Sequence, residues 1–253
     1  MLTLLSRPKS GGYSACSRTS SPVANLTRTT QSMKKTYPQH VFEVPGGATT
    51  IVLVRHGQSA AADLENPART VDGHSDPELS TLGEQQAEAV GERLRSEPID
   101  AVYVTKLQRT AQTAAPLVRH LAVQPTVQPD LHEIFLGDWE GGLMRKMSAE
   151  RHPTFTKMIS DGEWGHAPGA ETTQALADRT VPALAQIHHD HPGGRVAVFV
   201  HGGVIAALLH HATGARPFAF LGADNGSIHN LVLDGDRWLL RHYNDVTHLA
   251  HLS

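Results

Sequence analysis

With 253 residues, 40% of them apolar and 19% charged, the chain has an ordinary globular composition and the length of one large domain or two small ones. Its net charge of −3 is spread unevenly: residues 1–48 hold six Lys/Arg and one acid, and the remainder holds 16 basic and 24 acidic residues. An acidic body excludes a nucleic-acid binder, a single cysteine (Cys16) excludes an intrachain disulfide framework or a cysteine-based zinc site, and no apolar run approaches the roughly 20 residues that span a bilayer.

Residues 1–48 are rich in Ser, Thr, Arg and Gly, lack periodicity and read as a disordered tail. A solvated tail, a mis-assigned start with Met33 as the true first residue, and an Arg/Ser-rich organelle leader are the three readings. The lack of a clear amphipathic helix argues against the leader. Met1–Arg7 is too short an apolar patch for a signal peptide, so the expected location is cytoplasmic.

From residue 49 the pattern alternates strand and helix and predicts one catalytic domain over 49–253. The expected fold is α/β: a three-layer sandwich with a mostly parallel, mixed sheet and helices on both faces. Predicted strands cover Thr50–Val54, Asp100–Val104, Thr126–Gln128 and Arg195–Val200. Predicted helices cover Thr81–Ser96, with Ser80 as N-cap, then Leu107–Leu121, Ala170–His188 and Gly203–Thr213, which Gly214 ends. Ser227–Leu233 and Trp238–Tyr243 read as a hairpin. Residues 140–168 break the alternation and form either a lid insertion or an ordinary surface excursion.

The chemistry-bearing residues fall at predicted strand ends, where ligands bind in open α/β sheets. Arg55-His56-Gly57 ends the first strand, Arg109 follows the second, Glu133 follows the third segment, and His201-Gly202-Gly203 follows the fourth strand. Two Arg, two His and a Glu are the inventory needed to hold and cleave a phosphomonoester without metal. His188-His189-Asp190-His191 lacks the spacing of a zinc hydrolase, and no metal or cofactor is expected. Each residue also has a plain structural reading, as a strand-end His, a salt-bridged Arg or a surface Glu.

Five ordered motifs over residues 50–243 resemble the histidine phosphatase superfamily, in its phosphoglycerate-mutase-like branch. They are Arg55-His56-Gly57, Asp76–Ala87, Leu107–Thr113, Glu133 with Gly137–Gly141, and His201-Gly202-Gly203, followed by Asn225-Gly226-Ser227. The resemblance implies that His56 attacks phosphorus, that Arg55, Arg109 and His201 surround the phosphate oxygens, and that Glu133 exchanges the proton. Gln58, Ser59 and Gly202 complete the expected substrate contacts. One departure is Ala62, where family members often carry Asn. Only about 30 residues separate Glu140 from the helix near 170, which favours hydrolysis over mutase transfer. The implied activity is metal-independent hydrolysis of a small phosphorylated metabolite. The alternatives are a phosphoglycerate-type mutase and a non-catalytic phospho-ligand binder. A homodimer stays open as an assembly, and neither nucleic acid nor membrane is an expected partner.

Overall fold

The β-branched run of β1 (Thr49–Arg55) forms the middle of a six-stranded sheet in the computed structural model, which describes residues 35–252. Along the chain follow a small ribbon of β2 (Thr70–Val71) and β3 (His74–Ser75), then α1 (Thr81–Leu94), β4 (Ala101–Val104), α2 (Gln108–Leu121) and β5 (Thr126–Val127). Next come α3 (Leu143–Ala149), α4 (Pro153–Asp161), α5 (Thr173–Asp190), β6 (Arg195–Val200) and α6 (Gly202–Thr213), and last β7 (Ile228–Asp234) and β8 (Arg237–Asp245). The sheet order is β5-β4-β6-β1-β7-β8. Its first four strands are parallel, β7 pairs antiparallel to β1, and β8 pairs antiparallel to β7.

The period-2 rule explains the layers. Ile51 and Leu53 of β1 and Val196, Val198 and Val200 of β6 face α5 and α6, packing with Leu176, Leu184, Ile187, Val204 and Leu208. Val52, Val54, Ala197 and Phe199 face the other way, against Val90 and Leu94 of α1 and Ala114 and Leu117 of α2. Both sheet faces are thus covered, as parallel strands require. The structure is the expected three-layer α/β sandwich with a mostly parallel, mixed sheet.

Local signals set most boundaries. Ser80 caps α1 by accepting from the Gly83 amide at 3.1 Å, and Gly214, at φ +67°, ends α6. Two expectations shift. The helix expected from Ala170 begins at Thr173, because Gly169 turns at φ +70° and the Thr172 hydroxyl accepts from the Ala175 amide at 3.1 Å. The β2–β3 ribbon has strands of two residues, too short to carry a period, and was not anticipated. Residues 140–168 fold into α3, α4 and a short turn at Trp164–His166.

Contacts divide the chain into Met1–Phe42 and Glu43–Ser253, and every helix and strand above lies in the second unit. Expectations for residues 1–34, including a start at Met33, fall outside the described residues. Residues 35–48 carry no helix or strand. Among the described residues no helix is long and apolar enough to cross a membrane.

Candidate active site

The carboxyl ends of β1, β4 and β6 and the starts of α2 and α6 meet at one place. Arg55 is the last residue of β1, Arg109 the second of α2, and His201 caps α6. The loop after β1 is fixed by close approach. A Cβ on Gly57 would lie 2.4 Å from the Gly83 carbonyl oxygen, so only glycine lets the loop touch the start of α1. The Gly57 amide donates to Thr113 Oγ1 at 2.9 Å, and Asn225 Nδ2 donates to the His56 carbonyl at 3.0 Å.

His56 is buried, and its Nδ1 lies 2.7 Å from the Gly57 carbonyl. A carbonyl only accepts, so Nδ1 carries the hydrogen and Nε2 holds the lone pair. Arg109 Nε donates to that Nε2 at 3.2 Å, while Arg109 Nη1 donates to the Ser75 carbonyl at 3.0 Å. Burial, then Arg109 and Arg55, hold the His56 pKa well below its ordinary range. The imidazole is therefore neutral at neutral pH, with its free electron pair directed at a guanidinium.

His201 is fully buried, and its ring centroid is 5.2 Å from that of His56. Its Nε2 bonds the Thr105 hydroxyl at 3.0 Å, and its Nδ1 has no partner. Burial, Arg109 and His56 lower its pKa well below the usual value. Arg55 donates from Nη1 to the Ala223 carbonyl, and its Nε is buried without a partner. Buried polar atoms in native proteins are seldom left unpaired. Two such nitrogens beside one neutral imidazole mark a place that an oxyanion would satisfy.

Glu133 enters from the loop after β5. Its Oε1 accepts from the Ile134 amide at 3.0 Å and the Gly203 amide at 3.1 Å, at the start of α6. Its charge is felt at both Arg55 and Arg109, where it opposes the effect of burial on each guanidinium. The Glu133 main chain is held from α5: Arg179 donates to the carbonyls of Asp130, His132 and Glu133 and pairs with Glu171.

Arg55, His56, Gln58, Ser59, Arg109 and Glu133 share the wall of a cleft of about 990 Å³. His201 and Gly202 are buried behind that wall, where Gly202 packs against the Arg55 guanidinium. Gln58 Oε1 accepts from the Ser80 hydroxyl at 2.9 Å, so Gln58 is partly engaged in holding the α1 cap. Ala62 lines the cleft as a methyl group where an Asn would add a polar contact. The 140–168 segment supplies Glu140, Met144, Arg145 and Trp164 to the same cleft.

Several residues escaped the sequence reading. Asp76 is buried, accepting from the Gln108 amide at 2.7 Å and from Arg69 at 3.0 Å. Glu140 accepts from the Ser75 amide at 2.8 Å, so it secures the β2–β3 ribbon whose Ser75 carbonyl holds Arg109. Arg145 bonds Ser59 and Ala60 across the cleft. Asp76 and Glu140 lie inside the motif segments Asp76–Ala87 and Gly137–Gly141, which was their sequence signal, whereas Arg145 lies in none. Among the described residues no group of three His, Cys, Asp or Glu side chains is arranged to hold a metal ion. His188 and His191 instead bond Thr49 and Tyr103.

Comparison with known proteins agrees with this geometry. The family model of the histidine phosphatase superfamily (branch 1) matches residues 51–246. A metal-independent phosphoserine phosphatase of Arabidopsis thaliana is 34% identical over 216 residues, covering 83% of this chain and 87% of that protein. Phosphoglycerate mutase-like protein 4 of the same plant is 34% identical over 203 residues, covering 79% and 86%. The solved structure of a mycobacterial glucosyl-3-phosphoglycerate phosphatase in complex with VO3 superposes with a TM-score of 0.63 at 29% identity, covering 77% of this chain and 98% of that one.

Proposed function

Because the chain belongs to the histidine phosphatase superfamily (branch 1), we propose that it is a metal-independent phosphomonoesterase that hydrolyses a small phosphorylated metabolite through a phosphohistidine on His56. Family and relatives together support a phosphatase or mutase. The observation that carries the finer reading is the His56 tautomer: Nδ1–H is tied to the Gly57 carbonyl, leaving the Nε2 lone pair beside Arg109.

The proposed reaction has two steps. A phosphate dianion draws the Arg109 fork from His56 Nε2 onto its own oxygens, with Arg55 and the free His201 Nδ1 as further donors. His56 Nε2 bonds phosphorus as the ester P–O bond breaks, and Glu133 gives its proton to the leaving oxygen. Water then attacks the phosphohistidine, Glu133 takes one of its protons, and the P–N bond breaks to free inorganic phosphate. Catalysis rests on positioning and charge stabilisation, as phosphoryl transfer requires.

Relatives named for phosphoserine and for glucosyl-3-phosphoglycerate favour hydrolysis, and one named mutase-like keeps isomerisation as the second reading. A phosphate-release screen over phosphorylated metabolites, run with chelator, tests the proposal. Wild type is expected to release phosphate and to trap acid-labile phosphate after rapid quench, and His56→Ala to do neither. Isomer exchange without net phosphate release would favour the mutase. Activity that vanishes with chelator and returns with zinc would sink the metal-free route.

A further inference from the structure

The guanidinium of Arg55 is anchored on a loop rather than on a helix or strand. Its Nη1 donates to the Ala223 carbonyl, and its Nε has no partner. The same loop, residues 223–227, also holds the main chain around the proposed nucleophile. Asn225 Nδ2 donates to the His56 carbonyl at 3.0 Å, the Gly226 amide to the Arg55 carbonyl at 3.1 Å, and the Arg55 amide to the Ser227 carbonyl at 3.1 Å. A connecting loop lacks the hydrogen-bond ladder that stiffens a regular element, so its precision has to be supplied from outside.

The end of β8 supplies it. Asn244 and Asp224 are joined twice: the Asp224 amide donates to Asn244 Oδ1 at 2.8 Å, and Asn244 Nδ2 donates to Asp224 Oδ2 at 2.7 Å. Asn244 reaches the loop because β8 bulges. The register of β8 against β7 shifts between Ile228 and Asn230, and Asn244 stands at φ +57°. Asparagine is among the few residues with a Cβ that enter this left-handed region readily, and bulges re-aim side chains beside active sites. The bulge is pinned from beneath by the buried His229, whose Nδ1 accepts from the Asn244 amide at 3.0 Å and whose Nε2 lies 3.0 Å from Ser227 Oγ. The Ser227 hydroxyl donates to the Asp224 carbonyl at 2.6 Å, so His229 Nε2 carries the hydrogen and each group has a partner. The carboxylate that Asn244 fixes also favours the charged form of Arg55. The Asn244–Asp224 pair is partly open to water, so its worth lies in geometry more than in stability.

We infer that Asn244 is a positioning residue for Arg55 and His56, acting from the last strand through Asp224 and the 223–227 loop. It touches no substrate. The inference rests on the phosphatase reading for the identity of the site, but it can fail separately.

Asn244→Gly tests it, because glycine keeps the left-handed backbone and removes only the side-chain bonds. Titration with orthovanadate is expected to show binding weaker than wild type by about tenfold, as a donor held slightly out of place would give. The loss in kcat/KM should be equal for p-nitrophenyl phosphate and for an alkyl phosphate, since Glu133 is held from other elements. Asn244→Asp keeps the shape and the acceptor for the Asp224 amide, but it sets a carboxylate against Asp224 and should lose as much. Exchanging the two, Asp224→Asn together with Asn244→Asp, again faces a donor with an acceptor and is expected to recover most of the lost affinity. A residue that served stability alone would shift Tm without moving vanadate affinity. Unchanged vanadate affinity in Asn244→Gly therefore overturns the inference, and so does an exchange variant that binds no better than Asn244→Asp. If Asn244→Gly does not fold, the exchange decides alone. A wild type that binds vanadate yet frees no phosphate from any ester refutes hydrolysis, and the vanadate titrations still test Asn244.

Discussion

Arg179 holds Glu133 by its backbone. From α5 its Nη2 donates to the Glu133 carbonyl at 3.0 Å, its Nη1 to the Asp130 and His132 carbonyls at 2.7 and 2.8 Å, and Glu171 fixes the guanidinium at 2.7 Å. One side chain thus fastens three carbonyls within four residues of the loop that carries the proposed proton donor. Arg179 touches no reacting atom and is a positioning residue. Displacement of a reacting group by about 1 Å can cost about a hundredfold in rate. Arg179→Met is expected to lower kcat by about tenfold to a hundredfold with little change in vanadate affinity, because Arg55, His56 and Arg109 are held from other elements. Tm should also fall, since three carbonyls lose their donor. Equal losses in kcat and vanadate affinity would mean general disorder of the site rather than misplacement of Glu133.

Acid should leave the nucleophile intact and weaken the fold. His56 is kept neutral by burial and two guanidinium groups, so lowering the pH through 6.5 does not protonate Nε2. The kcat/KM profile is expected to show no fall with an ordinary histidine pKa as the pH is lowered, and a fall centred near 6.5 would contradict a neutral His56. Stability moves the opposite way. His229 is pulled down to about 4 by burial and by Arg55, whereas in the unfolded chain it takes up a proton near 6.5. The unfolded state then binds more protons below pH 6.5, so stability is full above that pH and drops as pH falls toward 4. This group alone is worth about 2 kcal/mol between pH 7 and pH 5. His56 and His201 act in the same direction. Calorimetry should show Tm falling across that interval, and a flat Tm would refute the neutral buried histidines.

The Arg109 fork serves two directions at once, Nε toward His56 and Nη1 toward the Ser75 carbonyl. A lysine offers a point charge that cannot satisfy both. Arg109→Lys is expected to lower kcat by about a hundredfold to a thousandfold, the usual cost of losing one preorganised donor to a developing oxyanion. Single-turnover kinetics would check this, with the phosphohistidine forming slowly but still forming. A variant that phosphorylates His56 at the wild-type rate would remove Arg109 from the chemical step.

The sequence made the parts with local signatures readable. The β-branched run of β1 ending at Arg55-His56-Gly57 and the Ser80 cap carried their structure in adjacent residues. The three-layer α/β class followed from the alternation of strands and helices, whereas the order β5-β4-β6-β1-β7-β8 depends on long-range pairing that alternation does not specify. Glu133 could be picked out as a strand-end candidate, but its role as proton donor came only from the family resemblance, since a lone glutamate in a loop has no local mark. Arg179 and Arg145 were invisible for a physical reason. The atoms they hold lie 46 and 86 residues away, and a mid-helix arginine looks like a solvated face until tertiary contacts are known. Pro168-Gly169 read as the start of α5 because both residues break regular structure, but the hydroxyl of Thr172 supplies the cap.

Gly203 separates activity from stability. A Cβ there would lie 2.6 Å from Glu133 Oε1, too close for both to stay. The obstructing atom is the far end of a flexible side chain, so the carboxylate moves rather than the helix. Glycine inside a helix costs about 0.5–1 kcal/mol against alanine, and α6 would recover that amount. Gly203→Ala is therefore expected to fold with an unchanged or slightly raised Tm while kcat drops by about a hundredfold, because Glu133 loses both its place and its bond from the 203 amide. The drop should be smaller for a substrate whose leaving group needs no proton, such as p-nitrophenyl phosphate. Equal losses on both kinds of substrate would show that Glu133 is not the proton donor.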